Sequence, residues 1–350
     1  MRSTGIDALK GLVIPLVIFG HYVPASSPPY WVWFAGTFIQ GFHMDIFFLI
    51  SGYLFGSRPL PATPDAGARF IGKKAKRLMV PFLSIAILFL ALKLPSQMLF
   101  HMHTAVTPES VLDVLVNPKE SYAAIIWFLE TLFLIFSFFV LVHMLVRNKY
   151  AAAGLLMAVP LLLPFVEAPI LRLVCMHVPA FCTGLFLSEF QKPALPDKTW
   201  GIVCALALLI AVVLVFQFGP LFMGPYIRTA RALTLSLLAL TCLQLLPGRV
   251  SELFGILGLY GSSIYLLHFP FASFVKKIVD QVLHAPESTF WLFAIPAFIL
   301  ATVMPVVLEQ CILQKHPRLL FLLIGESPSD KGTRLGHALG LSPQYRVQGR

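Results

Sequence analysis

Apolar stretches of about twenty residues recur from one end of this chain to the other, and each can cross a hydrocarbon layer roughly 30 Å thick as a helix. Hydrophobic residues make up 58% of the 350 residues and charged residues 12%, whereas an ordinary soluble domain is about a quarter charged. Inside lipid the backbone must satisfy its own hydrogen bonds, which favours helices. In runs such as 133–142, apolar and polar residues do not alternate as they do in the strands of a membrane barrel. The sequence therefore predicts an all-α, polytopic membrane bundle.

Hydropathy predicts about ten spans, each placed to within roughly two to four residues. They cover residues 8–25, 31–56, 79–100, 123–146, 151–166, 170–190, 199–219, 227–247, 253–277 and 289–312. The loop after the second span is basic and the next loop, 101–122, is acidic, so the first is expected in the cytoplasm. With an even number of spans, both termini are cytoplasmic. The net charge of +10 lies mostly in such loops and in the tail, so no nucleic acid partner is expected.

The chain divides into a transmembrane domain, residues 1–314, and a cytoplasmic tail, residues 315–350. The tail is rich in Gly, Ser, Pro and Arg, a composition compatible with disorder. No metal-ligand spacing and no Gly-rich phosphate loop stands out.

Ionisable side chains inside the spans are costly, so each one calls for a partner, a watery cavity or a function. Lys10 and His21 are eleven residues apart, which puts them on one helix face about 16 Å apart along the axis. Asp7 lies one turn before Lys10 and can pair with it. A lysine and a histidine on one face of an otherwise apolar span are costly to keep for packing alone.

Other spans bring titratable groups to a similar depth. His43 and Asp45 point about 200° apart, so on a straight helix only one of them can serve a given site. Glu130, His177 and His268 fall between the middle and the outer third of their spans, as a polar cavity opening outward would need. A helix-to-helix hydrogen bond is the alternative, favoured for His177 and evenly balanced for Glu130.

Arg228 and Arg231 lie one helical turn apart at the outer entrance of the eighth span. They can meet an anionic acceptor such as a lipid-linked sugar phosphate. Snorkelling to the interface is the more ordinary explanation for either residue alone.

Several motifs point to one family when they are taken together. Ten residues separate Lys10 of the segment 7–11 (DALKG) from His21, and the segments 42–48 (FHMDIFF) and 51–54 (SGYL) follow. A basic segment, 73–81 (KKAKRLMVP), precedes the third span, and 127–129 (WFL) and 263–268 (SIYLLH) follow. This set resembles the acyltransferase family 3 membrane O-acyltransferases, in particular those that acetylate polysaccharides. The resemblance covers essentially the whole helical region.

The resemblance implies a bacterial enzyme of the cytoplasmic (inner) membrane. It would move an acyl group, usually acetyl, from cytoplasmic acyl-CoA to a hydroxyl of a surface polysaccharide sugar or its lipid-linked precursor. His21 would act as general base, or carry the acyl group in a two-step reaction, and Lys10 and Asp7 complete the expected catalytic set. Lys10 stands where Arg is usual, which replaces a bidentate fork by a point charge. Asp45 stands where many relatives have Pro.

The remaining candidate site residues fall into two sets. The cytoplasmic cluster would bind the phosphates of acetyl-CoA, although orientation in the membrane explains these residues equally well; it comprises Arg69, Lys73, Lys74, Lys76 and Arg77. The substrate cavity is expected to be lined by His43, Asp45, Glu130, Trp127, Tyr265, His268 and Arg231. Membrane lipid is a further expected partner, and no motif indicates the acceptor sugar or the oligomeric state.

A transporter or flippase for a glycan or small solute is the main alternative, because intramembrane His, Asp and Glu also mark substrate pathways. The sequence shows no pair of Gly- or Pro-interrupted spans in corresponding halves, which disfavours it. An assembly subunit without activity ranks last.

Overall fold

The computed structural model describes residues 4–22, 39–100, 106–189, 224–278, 290–329 and 331. Within these ranges every regular element is helical, as the all-α prediction requires. The α-helices are α1 (Thr4–Tyr22), α2 (His43–Gly56), α3 (Pro64–Phe100), α4 (Pro108–Val116), α5 (Trp127–Val146), α6 (Lys149–Ala158), α7 (Pro169–Leu187), α8 (Pro225–Leu245), α9 (Gly248–Leu259), α10 (Gly261–Lys277), α11 (Phe290–Cys311) and α12 (Pro317–Ile324). Short 3-10 segments cover Ala124–Ile126, Val159–Phe165 and Leu313–Lys315.

The described helices identify a multi-pass membrane protein. Five segments are long and apolar enough to cross a membrane: Pro64–Pro95, Ala124–Val146, Pro169–Leu187, Pro225–Leu243 and Phe293–Lys315. A sixth is added if α9 and α10 together form one bent span. The predicted span 199–219 and the stretch 31–38 of the second span lie outside the described residues. The total of about ten spans therefore stays a prediction.

The third span begins earlier than the sequence predicts. Helix α3 starts at Pro64 rather than near residue 79, so the basic residues 69–77 lie on a helix and not in a loop. Thr63 caps the first turn, its Oγ1 accepting a hydrogen bond of 3.3 Å from the Ala66 N–H. From Ala66 to Arg77 the segment is rich in Ala, Lys and Arg, which favour helix and extend it beyond the apolar part.

The predicted span 253–277 is interrupted in the structure, because α9 and α10 meet at Tyr260 with a bend of 75°. Gly258 and Gly261 flank the corner, and glycine lowers the cost of leaving the helix. The Tyr260 ring is fully buried and holds the corner in the core. Helix α10, which carries His268, therefore runs at a steep angle to α9.

Glycines let the helices that carry the candidate site approach their neighbours backbone to backbone. A Cβ on Gly11 of α1 would lie 1.7 Å from the Phe254 carbonyl oxygen of α9, and one on Gly258 equally close to the Asp7 carbonyl oxygen. On α2, a Cβ on Gly52 would lie 1.9 Å from a carbonyl oxygen of α7. Such small-residue contacts replace side-chain packing between membrane helices and fix the rotation of α1 and α2.

Part of the predicted tail is ordered. Helix α12 packs against α3, and after it Gly325 adopts a left-handed conformation with φ 74°. Lys331, further along, is buried. The remaining residues, 332–350, lie outside the described part, and the domain boundary at residue 315 stays a prediction.

Candidate active site

His21 and His268 face each other near one end of the bundle. His21 is accessible on the last turn of α1, and His268 lies on α10 with no exposed surface. Their ring centroids are 5.4 Å apart, and the Phe269 ring lies 6.2 Å from His21. We call the end of the bundle that holds these rings the histidine end.

The backbone fixes which His268 nitrogen carries the proton. Nδ1 lies 2.8 Å from the Tyr265 carbonyl oxygen and 3.0 Å from the Ile264 carbonyl oxygen. Carbonyl oxygens only accept hydrogen bonds, so Nδ1 is the N–H nitrogen and Nε2 keeps its lone pair. Nε2 is buried and has no hydrogen-bond partner among the described residues. His268 thus offers an unused acceptor on the residue next to His21.

His43 joins this group from α2. It is buried, and its Nδ1 lies 2.7 Å from the Ile39 carbonyl oxygen, so it too carries its proton on Nδ1. It lies within electrostatic range of His21 and of Asp45. The histidine end therefore gathers side chains from α1, α2 and α10 that the sequence places far apart.

Asp45 organises a second, buried cluster beside the histidines. Its Oδ1 accepts a 2.7 Å hydrogen bond from His177 Nδ1 of α7, and its Oδ2 accepts one of 3.2 Å from Arg228 Nε of α8. Arg228 also donates to the Gln40 carbonyl oxygen at 3.3 Å. One carboxylate thus ties α2, α7 and α8 together, which gives Asp45 a structural role. The helix-to-helix hydrogen bond favoured for His177 is confirmed.

Aromatic rings and a lysine cover the Asp45 cluster. His177 stacks on Phe48 at 4.7 Å and lies 5.0 Å from Trp127, between ring centroids. The Lys119 ammonium sits 4.5 Å above the Trp127 ring, in a cation–π contact. Burial, reinforced by the nearby Arg228 charge, lowers the pKa of Lys119 to about 8.

Other predicted cavity residues surround these clusters. The buried Arg231 lies one turn from Arg228, within electrostatic range of Asp45. Tyr265 donates its hydroxyl to the Ile125 carbonyl oxygen, so it anchors α10 and leaves its ring 6.5 Å from His268. Glu130 is buried on α5, and its Oε2 has no partner among the described residues.

The opposite end of the bundle is basic and holds the start of α1. Asp7 and Lys10 form the ion pair that their spacing predicts, with 3.3 Å between Oδ1 and Nζ. Here α3 begins close to the end of α5, since a Cβ on Gly67 would lie 2.4 Å from Met144 Sδ. Lys10 is thus about 16 Å along α1 from His21. We call this the basic end.

A cleft of about 500 Å³ opens at the basic end between α3 and the segment that follows α12. Three of the five predicted nucleotide-binding residues line it, namely Lys73, Lys76 and Arg77. The opposite wall is formed by Glu326, Ser327, Ser329 and Lys331. Of the other two, Arg69 is exposed on α3, and the Lys74 ammonium lies 3.6 Å from the Phe136 ring centroid. The structure thus separates the basic cluster into residues that face the cleft and residues that do not.

A buried ion network holds the tail segment against the cleft. Lys331 Nζ contacts Glu326 Oε2 at 2.6 Å and Glu309 Oε1 at 3.0 Å, while Ser262 donates to Glu326 at 2.9 Å. Burial alone would raise the pKa of Glu326, but the Lys331 ammonium, the Ser262 hydroxyl and the Arg77 charge together hold that pKa below its ordinary value. Gly325 turns the chain where a Cβ would lie 2.2 Å from the Arg77 carbonyl oxygen.

Sequence reasoning missed Arg228 as the partner of Asp45, and missed Lys331 and Glu309. Arg228 and Asp45 are 183 residues apart, and Lys331 lies in a stretch whose composition is compatible with disorder. A single sequence carries no signal for such pairs. The usable signal was the unexplained Asp45 itself, a carboxylate inside an apolar span that demands a partner.

Comparison with known proteins decides the family. The family model described as "Acyltransferase domain" (Acyl_transf_3) matches residues 3–310. The chain belongs to acyltransferase family 3. The matched region of this family 3 chain includes the histidines, the Asp45 cluster and the basic part of α3, whereas α12 and Lys331 lie beyond it.

Curated relatives cover part of the family 3 chain. Nodulation protein NolL of Mesorhizobium japonicum is 26% identical over 216 residues, which are 59% of this chain and 54% of that protein. Nodulation protein NolL of Sinorhizobium fredii is 26% identical over 221 residues, 58% of this chain and 56% of that protein. The chain spans about half the length of the curated relatives it matches. No solved structure matches it significantly.

Proposed function

We propose that this protein is a membrane O-acyltransferase that moves an acetyl group from acetyl-CoA, bound at the basic end, to a sugar hydroxyl at the histidine end. The acceptor is a surface or exopolysaccharide unit or its lipid-linked precursor. Family membership supports the reaction class. The observation that carries the assignment is the accessible His21, 5.4 Å from a His268 whose Nε2 is left as an acceptor.

The histidine pair suits general base catalysis. A small rotation of the accessible His21 ring brings one N–H to His268 Nε2, which leaves the other His21 nitrogen with a lone pair. That nitrogen takes the proton of the acceptor hydroxyl while the hydroxyl oxygen attacks the thioester carbonyl. The thiolate of CoA leaves and receives the proton from His21. Neutral imidazole suits this task near physiological pH. His268 is a positioning residue here, since it acts through His21.

The donor enters from the basic cleft. Coenzyme A carries its phosphates at the nucleotide end, and Lys73, Lys76 and Arg77 supply positive charge to the cleft. The Lys331 ammonium is already paired with two carboxylates, so its role is to stabilise the wall of the cleft. The basic residues of α3 bind the phosphates. From this cleft the pantetheine arm runs along α1, past Lys10, toward His21. Lys10 and His21 are about 16 Å apart along α1, and the pantetheine arm must bridge this distance to bring the thioester to His21.

The orientation follows from the same charges. Because basic residues are retained in the cytoplasm, we place the basic end on the cytoplasmic side of a bacterial inner membrane and the histidine end on the outer side. The chain then crosses the membrane about ten times, including the segments outside the described residues, with both termini in the cytoplasm. Membrane lipid surrounds the bundle.

The test is transfer of labelled acetyl from acetyl-CoA by membranes that contain the protein, with the host's sugar polymers and lipid-linked sugars as acceptors. His21→Ala should abolish transfer. His316→Ala is the matched control, because His316 is exposed just before α12 and should keep full activity. Equal transfer by His21→Ala would refute the base assignment. Absence of both transfer and acyl-CoA binding would favour a transporter or flippase.

A further inference from the structure

A second basic cavity, separate from the acetyl-CoA cleft, lies at the basic end between α2, α5 and α6. Its volume is about 370 Å³. Arg58 reaches it from the chain that follows α2, His143 and Arg147 from the end of α5, and Asn148, Lys149 and Tyr150 from the start of α6. None of these residues lines the cleft between α3 and the tail.

The charge of this cavity suits an anion. Arg58, Arg147 and Lys149 bring three positive charges, and of these Lys149 is paired with Glu189. The first turn of α6 adds the positive end of a helix dipole. Asn148 caps that turn by accepting from the Tyr150 and Ala151 N–H groups at 2.9 and 3.1 Å. Arginine and a helix N-terminus are both common in phosphate sites.

The backbone conformation at Arg147 suits glycine better than arginine. Arg147 ends α5 in the left-handed conformation with φ 57°, and within the described ranges no other residue except glycine has a positive φ. Its N–H donates to the His143 carbonyl oxygen at 2.7 Å, the usual end of a helix, where glycine is preferred. Because glycine suits this conformation, a glycine at position 147 would remove the guanidinium charge without adding backbone strain.

His143 supplies an unused hydrogen-bonding group at the same place. Its ring lines the cavity, and its buried Nδ1 has no hydrogen-bond partner among the described residues. An N–H at this nitrogen can donate to an oxyanion. The cavity therefore combines cations, a helix N-terminus and a ring nitrogen that has no hydrogen-bond partner among the described residues.

We propose that this cavity binds the phosphate of an anionic membrane lipid. Phosphate is the shared chemistry of a lipid headgroup and of soluble phosphates, and the neighbouring surface favours the lipid. Leu145, just before Arg147, is 84% exposed, and the adjoining Val146 and Tyr150 are partly exposed. Apolar side chains beside a phosphate site match the junction between a headgroup and its acyl chains. The site does not depend on the acyltransferase assignment.

The test measures the melting temperature of the purified full-length protein with dioctanoyl phosphatidylglycerol, glycerol 3-phosphate or CoA. The lipid should raise the wild-type melting temperature by several degrees. The increase should fall to less than half in Arg58→Gln and in Arg147→Gly. Lys73→Gln, in the other cleft, should retain the whole response to the lipid and lose part of the response to CoA.

Arg147→Gly separates ligand binding from folding. Glycine adopts the left-handed conformation without strain, so the melting temperature without ligand should stay level or rise even as the lipid response is lost. An unchanged lipid response in both Arg58→Gln and Arg147→Gly would overturn the proposal. A shift with glycerol 3-phosphate as large as that with the lipid, at equal concentration, would overturn the lipid assignment.

Discussion

Replacing Gly11 by Ala should misalign the two histidines. The new Cβ would lie 1.7 Å from the Phe254 carbonyl oxygen, whereas ordinary contacts begin at 3.4 Å. Both partners are backbone, so α1 and α9 must move apart by about 1.7 Å. Overpacking of this kind costs about 1–3 kcal/mol. Since α10 continues directly from α9, the shift changes the position of His268 relative to His21.

Catalysis should suffer along with folding. A misplacement of about 1 Å at a reacting group can cost about 100-fold in rate, so Gly11→Ala should reduce acetyl transfer by that factor. The assay pairs labelled transfer with CoA binding and with the melting temperature in detergent. CoA binding should stay within a few-fold of wild type, because the cleft lies on α3 and the tail.

Gly255→Ala provides the matched control. Gly255 lies on α9, three residues before Gly258, and a Cβ there meets no described atom within 4 Å. Alanine favours helix by about 1 kcal/mol over glycine, so this variant should be as stable as wild type or more stable, with full activity. If Gly11→Ala and Gly255→Ala behave alike, the account of the α1–α9 contact is refuted.

Three further predictions concern the buried ion networks. Lys331→Met should weaken CoA binding about tenfold, because it leaves the buried Glu309 without its cation. The double variant Lys331→Met/Glu309→Gln should recover most of the affinity. Titration calorimetry measures both affinities. Docking of the tail segment, measured with a fluorophore on that segment, should be complete above pH 4.5 and be lost as the pH falls through the lowered folded-state pKa of Glu326. The reason is that a carboxyl group with a lowered pKa stabilises the folded state above its unfolded pKa. Loss of docking already at pH 6 would contradict this prediction. Asp45→Asn should destabilise the bundle by about 3–5 kcal/mol because it leaves Arg228 without its carboxylate, and an unchanged melting temperature would refute this.

Patterns within a single helix could be predicted well. The apolar spans, the Asp7–Lys10 pair and the shared face of Lys10 and His21 depend only on helix periodicity, and the structure shows the pair at 3.3 Å. The basic residues 69–77 were expected in a loop, but they lie on helix α3. Hydropathy marks only the apolar part of a helix, whereas the propensity of Ala, Lys and Arg extends α3 beyond it.

Contacts between distant segments were not predictable. The bend at Tyr260 depends on how α9 lies against α1, and the Asp45–Arg228 pair depends on how α2 meets α8. Burying Lys331 would be costly without Glu309 and Glu326 as ion-pair partners. The local sequence around Lys331 does not indicate these partners. These contacts between distant segments determine the geometry of the Asp45 cluster and of the Lys331 ion network. The sequence therefore identifies the polar residues but not their partners.

The most direct test uses proteoliposomes loaded with labelled acetyl-CoA and given the sugar acceptor on the outside only. If acetyl passes from the basic end to the histidine end of each molecule, label should appear on the external acceptor with wild-type protein and be absent with His21→Ala, although both bind acetyl-CoA. Label transferred equally by His21→Ala, or none from wild-type protein that binds acetyl-CoA and acceptor, would contradict the account.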